Sequence, residues 1–430
     1  MNTATSQNVV TRIAPSPTGI LHVGTLRVAI FNYLFARQHG GRFLVRIEDT
    51  DKVRSKREFE PIIFDSLNWI GLSYERTARQ SERVAIHRSY LQKLISSNHA
   101  YVSKEEEGER RSVIRFRNPG QITSFDDVIR GNVIVDTTDL GDFIIAKDLD
   151  TPLHHLAVVV DDADMHVTHV IRGEDLLSNT PRQLLIQEAL GFPRPVYAHL
   201  PLIVGEDRKK LSKRHSATSV IHYRDLGYLK GTLVNFLALL GWHPEGDEEL
   251  FSLEQLIESF DLERVQKSSA AWDPLKLDWM NREYLRRLDK EALVDYFKPS
   301  FGAEWSRDLI QRLSGVILER VHNKGELDLL VSSGEFDCFR TDPAPLPADL
   351  LETTAHIPKI IEILTQLPEP WESELVKVSI WEFATLVGRK DVLAPMRMAL
   401  SGRPKSPDPF TIAAIIGKEA TLRRLQGVLR

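Results

Sequence analysis

Val9-Val10-Thr11-Arg12-Ile13 is a short β-rich run, closed by the turn residues Pro15-Ser16-Pro17-Thr18-Gly19. Beyond His22-Val23-Gly24-Thr25 the apolar positions Val28, Phe31, Leu34 and Phe35 recur at helical spacing. Gly40-Gly41 ends that helix, and Phe43-Leu44-Val45-Arg46-Ile47 reads as a buried strand. Ser55 and Glu58 match a capping box ahead of a helical stripe of Phe59, Ile63, Leu67 and Ile70. Pro61 fits poorly inside that helix, and either shifts its start or kinks it. Strand and helix therefore alternate over the first 90 residues, which predicts a parallel sheet with right-handed crossovers.

The pattern then changes. Residues 104–111 are charge-dense, and short β-like runs follow at 113–116, 133–135 and 143–146, as expected of a small insertion. Leu156-Ala157-Val158-Val159-Val160 reads as a further apolar strand ending at Asp161-Asp162, and Val167 to Ile171 as another. From about Leu233 the periodicity is helical to Arg430. Pro343 to Pro347 marks a joint there, and Lys405-Ser406-Pro407-Asp408-Pro409 a loop. The longest nearly apolar stretch, Leu233 to Trp242, is too short to cross a bilayer and is interrupted by Asn235.

At 430 residues the chain has room for roughly three domains. Apolar residues make up 42% and charged residues 27%, which excludes a disordered or collagen-like chain. Cys338 is the only cysteine, so there is no intrachain disulfide and no Cys-rich zinc site. The start of the chain lacks a basic-then-apolar secretory pattern, so a soluble cytoplasmic protein is expected. The net charge of −5 hides an uneven distribution: Gly388 to Arg430 holds nine Lys/Arg against three Asp/Glu. Such a stretch is either a solvated helical surface or a face for a polyanion.

Two segments carry chemistry. Between the first strand and helix, Pro15 to Thr25 would offer a phosphate free backbone N–H groups and the positive end of a helix dipole. There Gly24 permits close approach and His22 donates a hydrogen bond. Some 190 residues later, Lys210-Leu211-Ser212-Lys213-Arg214 puts three cations within five residues, suited to a triphosphate. Either segment alone reads as an ordinary turn or a solvated basic loop. Together they resemble the two signatures of class I aminoacyl-tRNA synthetases. Six further segments sharpen the resemblance to glutamyl-tRNA synthetases of bacterial type: Arg12 to Gly19, Arg46 to Asp51, Arg79 to Arg83, His169 to Asp175, Asn179 to Gln183 and Lys276 to Asn281.

The resemblance implies an α/β Rossmann-type catalytic domain with an α+β insertion, followed by an all-α C-terminal anticodon-binding region. The implied divisions are catalytic halves at 1–90 and 154–209, an acceptor-end insertion at 91–153, a stem-contact region at 210–300 and a helical domain at 301–430. It implies His22, Lys210 and Lys213 as catalytic residues, and Pro15, Gly24, Thr25, Glu174, Leu211 and Ser212, with Lys213, around ATP and its Mg²⁺. It implies Arg12, Ser16, Glu48, His154 and Arg172 around L-glutamate. Physical reasoning agrees, because two carboxylates and one ammonium need two cations and one anion in a desolvated site. Met396, Arg397 and Arg403 are candidates for tRNA contact. The implied partner is tRNA-Glu, with tRNA-Gln an open second acceptor, and the implied oligomeric state is a monomer.

Several positions depart from the family pattern. His154 stands where a tyrosine is usual, a shorter donor of a type that titrates near neutral pH. Ser216 and Asp150 replace common glycines. Residues 101–120 lack Cys and His, so no structural zinc is expected. A glutaminyl-tRNA synthetase would usually read Pro-Glu-Pro-Asn-Gly at 15–19, and a glutamyl-queuosine synthetase would lack the helical third. A non-catalytic tRNA-binding paralogue would not be expected to keep His22, Gly24, Lys210 and Lys213.

Overall fold

A computed structural model of the chain describes residues 9–104, 112–205, 207–209, 211, 219–344, 354–403 and 405–429. Lys210, Ser212 and Lys213 lie outside the described residues. The chain divides into two compact units, Met1–Met280 and Asn281–Arg430. Among the described residues no helix is long and apolar enough to cross a membrane.

The first unit is built on parallel strands. β1 (Val10–Ile13), α1 (Val23–Gln38), β2 (Arg42–Ile47), α2 (Glu60–Ile70) and β3 (Arg76–Arg79) alternate, with β1 paired to β2 and β2 to β3 in parallel. After α3 (Val84–Ser96) comes the insertion: β4 (Ala100–Lys104), β5 (Ser112–Phe116), the hairpin β6 (Ile122–Asp127) and β7 (Gly131–Asp136), then β8 (Phe143–Asp148) and β9 (Thr151–Pro152). The chain returns through α4 (His154–Asp164) to β10 (His169–Gly173), α5 (Thr180–Leu190) and β11 (Val196–Leu200), with β10 and β11 parallel. Thr168 donates its N–H to the Val10 carbonyl at 2.9 Å, which seats β10 beside β1. The lateral order β3-β2-β1-β10-β11 is that of a doubly wound nucleotide-binding sheet, whose ligands bind beyond the C-terminal strand ends.

The insertion is two pieces. Strands β4, β5, β8 and β9 form their own antiparallel sheet. The β6–β7 hairpin instead extends the parallel sheet, with Asp127 paired to Tyr197 of β11.

Two local expectations are corrected. The Leu156–Val160 run is helical, inside α4, rather than a strand. Leu156, Val159 and Val160 pack with Leu185 and Ile186 of α5 and with Ile114, Phe116 and Ala146 of the insertion. The helix is buried on most of its circumference, so its sequence loses the amphipathic period, and a short apolar run does not separate helix from strand. The Ser55/Glu58 capping box does not form either. α2 begins at Glu60 after a 3₁₀ turn at Arg57–Phe59, with Pro61 in its first turn and no side-chain cap. Proline's fixed φ suits that first turn and sets the start there.

The second unit is entirely helical among its described residues. Helices at Lys290–Phe297, Arg307–Leu318 and Lys324–Ser332 precede those at Ile357–Thr365, Ser373–Val387, Arg389–Ser401, Pro409–Ile416 and Lys418–Gly427. Their starts follow capping chemistry, with Asp289, Ser306, Asn323 and Asp408 each accepting from backbone N–H groups in the first turn. Met396 is fully buried with Val392, Leu400 and Leu425, so it serves the core and not a tRNA surface. Cys338 is a buried free thiol whose pKa is raised by burial.

Candidate active site

A cleft of ≈ 530 Å³ opens at the C-terminal ends of β1 and β10. At its phosphate end, His22 stands at the N-cap of α1 and its Nδ1 accepts from the Gly24 N–H at 3.0 Å. The ring proton therefore sits on Nε2, as a donor. A Cβ at Gly24 would lie 3.2 Å from that Nδ1, so the glycine is what lets the imidazole fold over the helix start. Thr25 lines the cleft beside it. Two further backbone links close the wall. Leu211 donates to the Ile203 carbonyl at 3.0 Å and lines the cleft, while Ser219 forms an antiparallel bridge with His22 itself. The described residues on both sides of 212–218 thus stand at the histidine loop.

At the other end, Arg12 at the close of β1 is 3% exposed and spends Nε and Nη2 on Asp162 of α4, at 3.0 and 3.3 Å. Arg46 of β2 is completely buried; its Nη1 meets Asp162 at 2.5 Å and its Nη2 meets Glu48 at 2.9 Å. Burial alone would push the Asp162 carboxyl up, but the guanidiniums of Arg12 and Arg46 overcome that and hold it at about 2. The second oxygen of Glu48 lies 3.5 Å from His154 Nδ1, at the start of α4.

Arg172, at the end of β10, lives differently. Its Nε donates to His199 Nε2 at 3.1 Å and its Nη2 to Thr180 Oγ1 at 2.8 Å, and the ring of Tyr197 lies 5.6 Å below it. These partners are neutral. Among the described residues no carboxylate lies within ion-pairing distance of Arg172, and burial pulls its pKa down to about 10. It is still a full cation at neutral pH. The cluster of Arg12, Arg46 and Arg172 against Asp162 and Glu48 therefore keeps one uncompensated positive charge, on Arg172.

Of the residues expected from sequence, Arg12, His22, Gly24, Thr25, Glu48, His154, Arg172 and Leu211 line this one cleft. Pro15 and Ser16 stand outside its lining, and Ser16 is exposed. Glu174 is turned away: it accepts from the Leu202 N–H at 2.8 Å and pairs with Arg130 at 2.5 Å, while Asp175 faces the cleft. Arg403 is engaged with Glu335 at 2.8 Å and with the Gly334 carbonyl. The Arg79-to-Arg83 motif is spent on structure. Gln80 and Arg83 bond the fully buried Asp161, and Ser81 is held by Asp49.

Sequence reasoning missed Arg46, Asp162, Thr180 and His199. Arg46 and Asp162 were visible as ionisable residues inside or closing apolar runs, where a charge survives only if paired. His199 lies in a strand without a motif, and nothing local marks it. A second cleft, ≈ 790 Å³, lies at the opposite strand ends around His39, His169 and Glu258. His169 and Val196 put it at the N-terminal ends of β10 and β11, so the strand-end rule favours the first.

The comparisons with known proteins identify the family. The model of the class I tRNA synthetase (E and Q) catalytic domain matches residues 8–112 and 102–279, and that of an anticodon-binding domain matches 291–429. A protein named glutamate–tRNA ligase from Desulforamulus reducens is 38% identical, covering 97% of this chain and 99% of its own length. Glutamate–tRNA ligase 1 from Alkalilimnicola ehrlichii is 39% identical with 97% of each chain covered. A crystal structure described as a glutamate tRNA ligase from Elizabethkingia meningosepticum in complex with its amino acid superposes with a TM-score of 0.86 at 29% identity, covering 98% of this chain and 99% of that one. On these full-length matches, the chain belongs to the class I tRNA synthetases for Glu and Gln, and within them to the glutamate–tRNA ligases.

Proposed function

We propose the following division of labour for the reaction of a glutamate–tRNA ligase in this chain. The α-carboxylate oxygen of L-glutamate attacks the α-phosphorus of ATP, the bond to the β-phosphate oxygen breaks, and pyrophosphate leaves. The terminal ribose hydroxyl of tRNA-Glu then attacks the carbonyl carbon of the adenylate, and AMP departs. No protein nucleophile takes part, so catalysis consists of positioning and charge stabilisation.

His22 Nε2–H, the α1 N-terminus, Lys210 and Lys213 bear on the phosphates, with Leu211 and Ser212 carrying the lysines. Mg²⁺ enters with ATP as part of the substrate. Gly24 and Thr25 shape the nucleotide floor, while Pro15 and Glu174 act from outside the lining, Pro15 by accepting from the Glu48 N–H at 3.0 Å and Glu174 through the Leu202 backbone. Arg12, Glu48, His154 and Arg172 surround glutamate, and Ser16, exposed in the turn after β1, contributes through that turn. The insertion at 91–153 receives the acceptor end, 210–300 the stem, and 301–430 the anticodon, with Arg397 and Arg403 toward tRNA. We propose a cytoplasmic monomer without structural zinc.

One observation carries the reading. The uncompensated charge on Arg172 stands in the same cleft as the His22 loop, and free glutamate brings a net charge of −1. On the reading that Arg172 takes the side-chain carboxylate, glutamine would set a neutral amide against the desolvated guanidinium, which costs several kcal/mol. The test is charging of separate tRNA-Glu and tRNA-Gln transcripts with labelled glutamate by the wild type and Lys213→Ala. Charging of tRNA-Glu with a loss of about 10²–10³-fold in tRNA-supported ATP–pyrophosphate exchange for Lys213→Ala is expected, by analogy with removal of an oxyanion donor. Near-wild-type exchange by that variant removes the lysine's role.

A further inference from the structure

Arg172 and His199 are direct partners in the parallel ladder of β10 and β11, so their side chains leave the sheet on one face. Both are buried, at 4% and 0% exposure. A guanidinium has no acceptor, so the 3.1 Å contact requires a lone pair on His199 Nε2. The proton of the neutral ring therefore sits on Nδ1, which donates to Asp127 Oδ2 at 2.6 Å. Asp127 is itself fixed. Its Oδ1 accepts from the N–H groups of Ile129 and Arg130, at 3.0 and 2.8 Å, in the turn of the insertion hairpin. Burial pushes His199 below its ordinary pKa, which keeps the ring neutral. Thr180 Oγ1, 3.2 Å from His199 Nε2, completes the cradle.

We infer that His199 and Asp127 are positioning residues for substrate recognition: they hold the Arg172 guanidinium by a neutral acceptor, so that its charge is aimed at the cleft and left for a substrate carboxylate. An anionic partner at the same place would hold the arginine equally well and cancel the charge that recognition needs. The inference rests on the proposed role of Arg172 toward glutamate. The insertion hairpin thereby contributes to the amino-acid pocket through Asp127, although it lies outside the cleft.

The test compares glutamate KM, ATP KM and kcat in tRNA-supported ATP–pyrophosphate exchange. His199→Asn keeps a donor toward Asp127 and loses the acceptor for Arg172. His199→Gln places an amide oxygen near the lost acceptor. Asp127→Asn has a sharper logic: its oxygen is required by the Ile129 and Arg130 N–H groups, so its amide must face His199 Nδ1. That reverses the tautomer and sets an N–H against Arg172. The glutamate KM should rise about 10- to 100-fold for His199→Asn and Asp127→Asn, with kcat and ATP KM within about threefold, and His199→Gln should recover most of the loss. A glutamate KM within about twofold of wild type, an equal rise in both KM values, or no difference between the Asn and Gln variants at 199 would overturn the inference. Variants are compared at matched thermal melting; if none of the three folds, the pair is a folding element and the inference falls. Arg172→Gln separates the two readings. If it raises the glutamate KM while the His199 and Asp127 variants do not, only this inference fails. If it too has no effect, the proposed role of Arg172 fails with it.

Discussion

Arg12 and Arg172 close neighbouring strands and look into one cleft, yet they are held by opposite means. Arg12 shares the buried Asp162 with Arg46, so that side is nearly neutral before any substrate arrives. Arg172 is gripped by an imidazole, a hydroxyl and an aromatic face, none of which carries charge. The first arrangement is a rigid frame whose charges are mutually satisfied. The second keeps a desolvated cation unsatisfied, a state that costs stability and is tolerable where a ligand relieves it. Rigidity and recognition are thus divided between two arginines that a motif scan treats alike.

Breaking the frame should have the largest effect. Asp162→Asn removes the anion between two buried guanidiniums, and a stability loss of about 3–5 kcal/mol is expected. Urea unfolding checks it, and a midpoint unchanged from wild type would dissolve the distinction. The same carboxylate gives the frame a pH dependence. Its folded pKa of about 2 lies below the roughly 3.9 of an unfolded aspartate, so its contribution is complete above pH ~4. As pH falls toward 2 that contribution disappears, at most about 2–3 kcal/mol. Urea midpoints at pH 5 and pH 3 should therefore fall further for the wild type than for Asp162→Asn.

The smallest change expected is at the rim. His154 is 40% exposed and reaches Glu48 only at 3.5 Å. His154→Tyr brings a longer hydroxyl toward the substrate and should lower the glutamate KM about fivefold, the worth of one hydrogen bond, leaving the ATP KM alone. An unchanged glutamate KM would show the rim to be indifferent to this residue.

The βα alternation, the histidine loop and the helical second unit were legible because each follows from local patterning. Val28, Phe31 and Leu34 mark a helix wherever it packs, and Gly24 beside His22 marks a helix start meant for an anion. Three features were not legible. The α4 run has no polar face, because it is enclosed by α5 and the insertion. The seat of the β6–β7 hairpin on β11 depends on a pairing about 70 residues distant in sequence. The cradle of Arg172 is assembled from β6, β11 and α5, and a residue such as His199 acquires its meaning only from what the fold sets beside it.

The most direct measurement is calorimetric titration of L-glutamate and L-glutamine into the tRNA-bound wild type and Arg172→Gln. Glutamate should bind the wild type at least about 10²-fold more tightly than glutamine, and Arg172→Gln should erase most of that ratio while Arg12 and Arg46 remain paired to Asp162. Comparable affinities for the two amino acids in the wild type, or full discrimination surviving in Arg172→Gln, would contradict the claim that the Arg172 guanidinium selects the substrate.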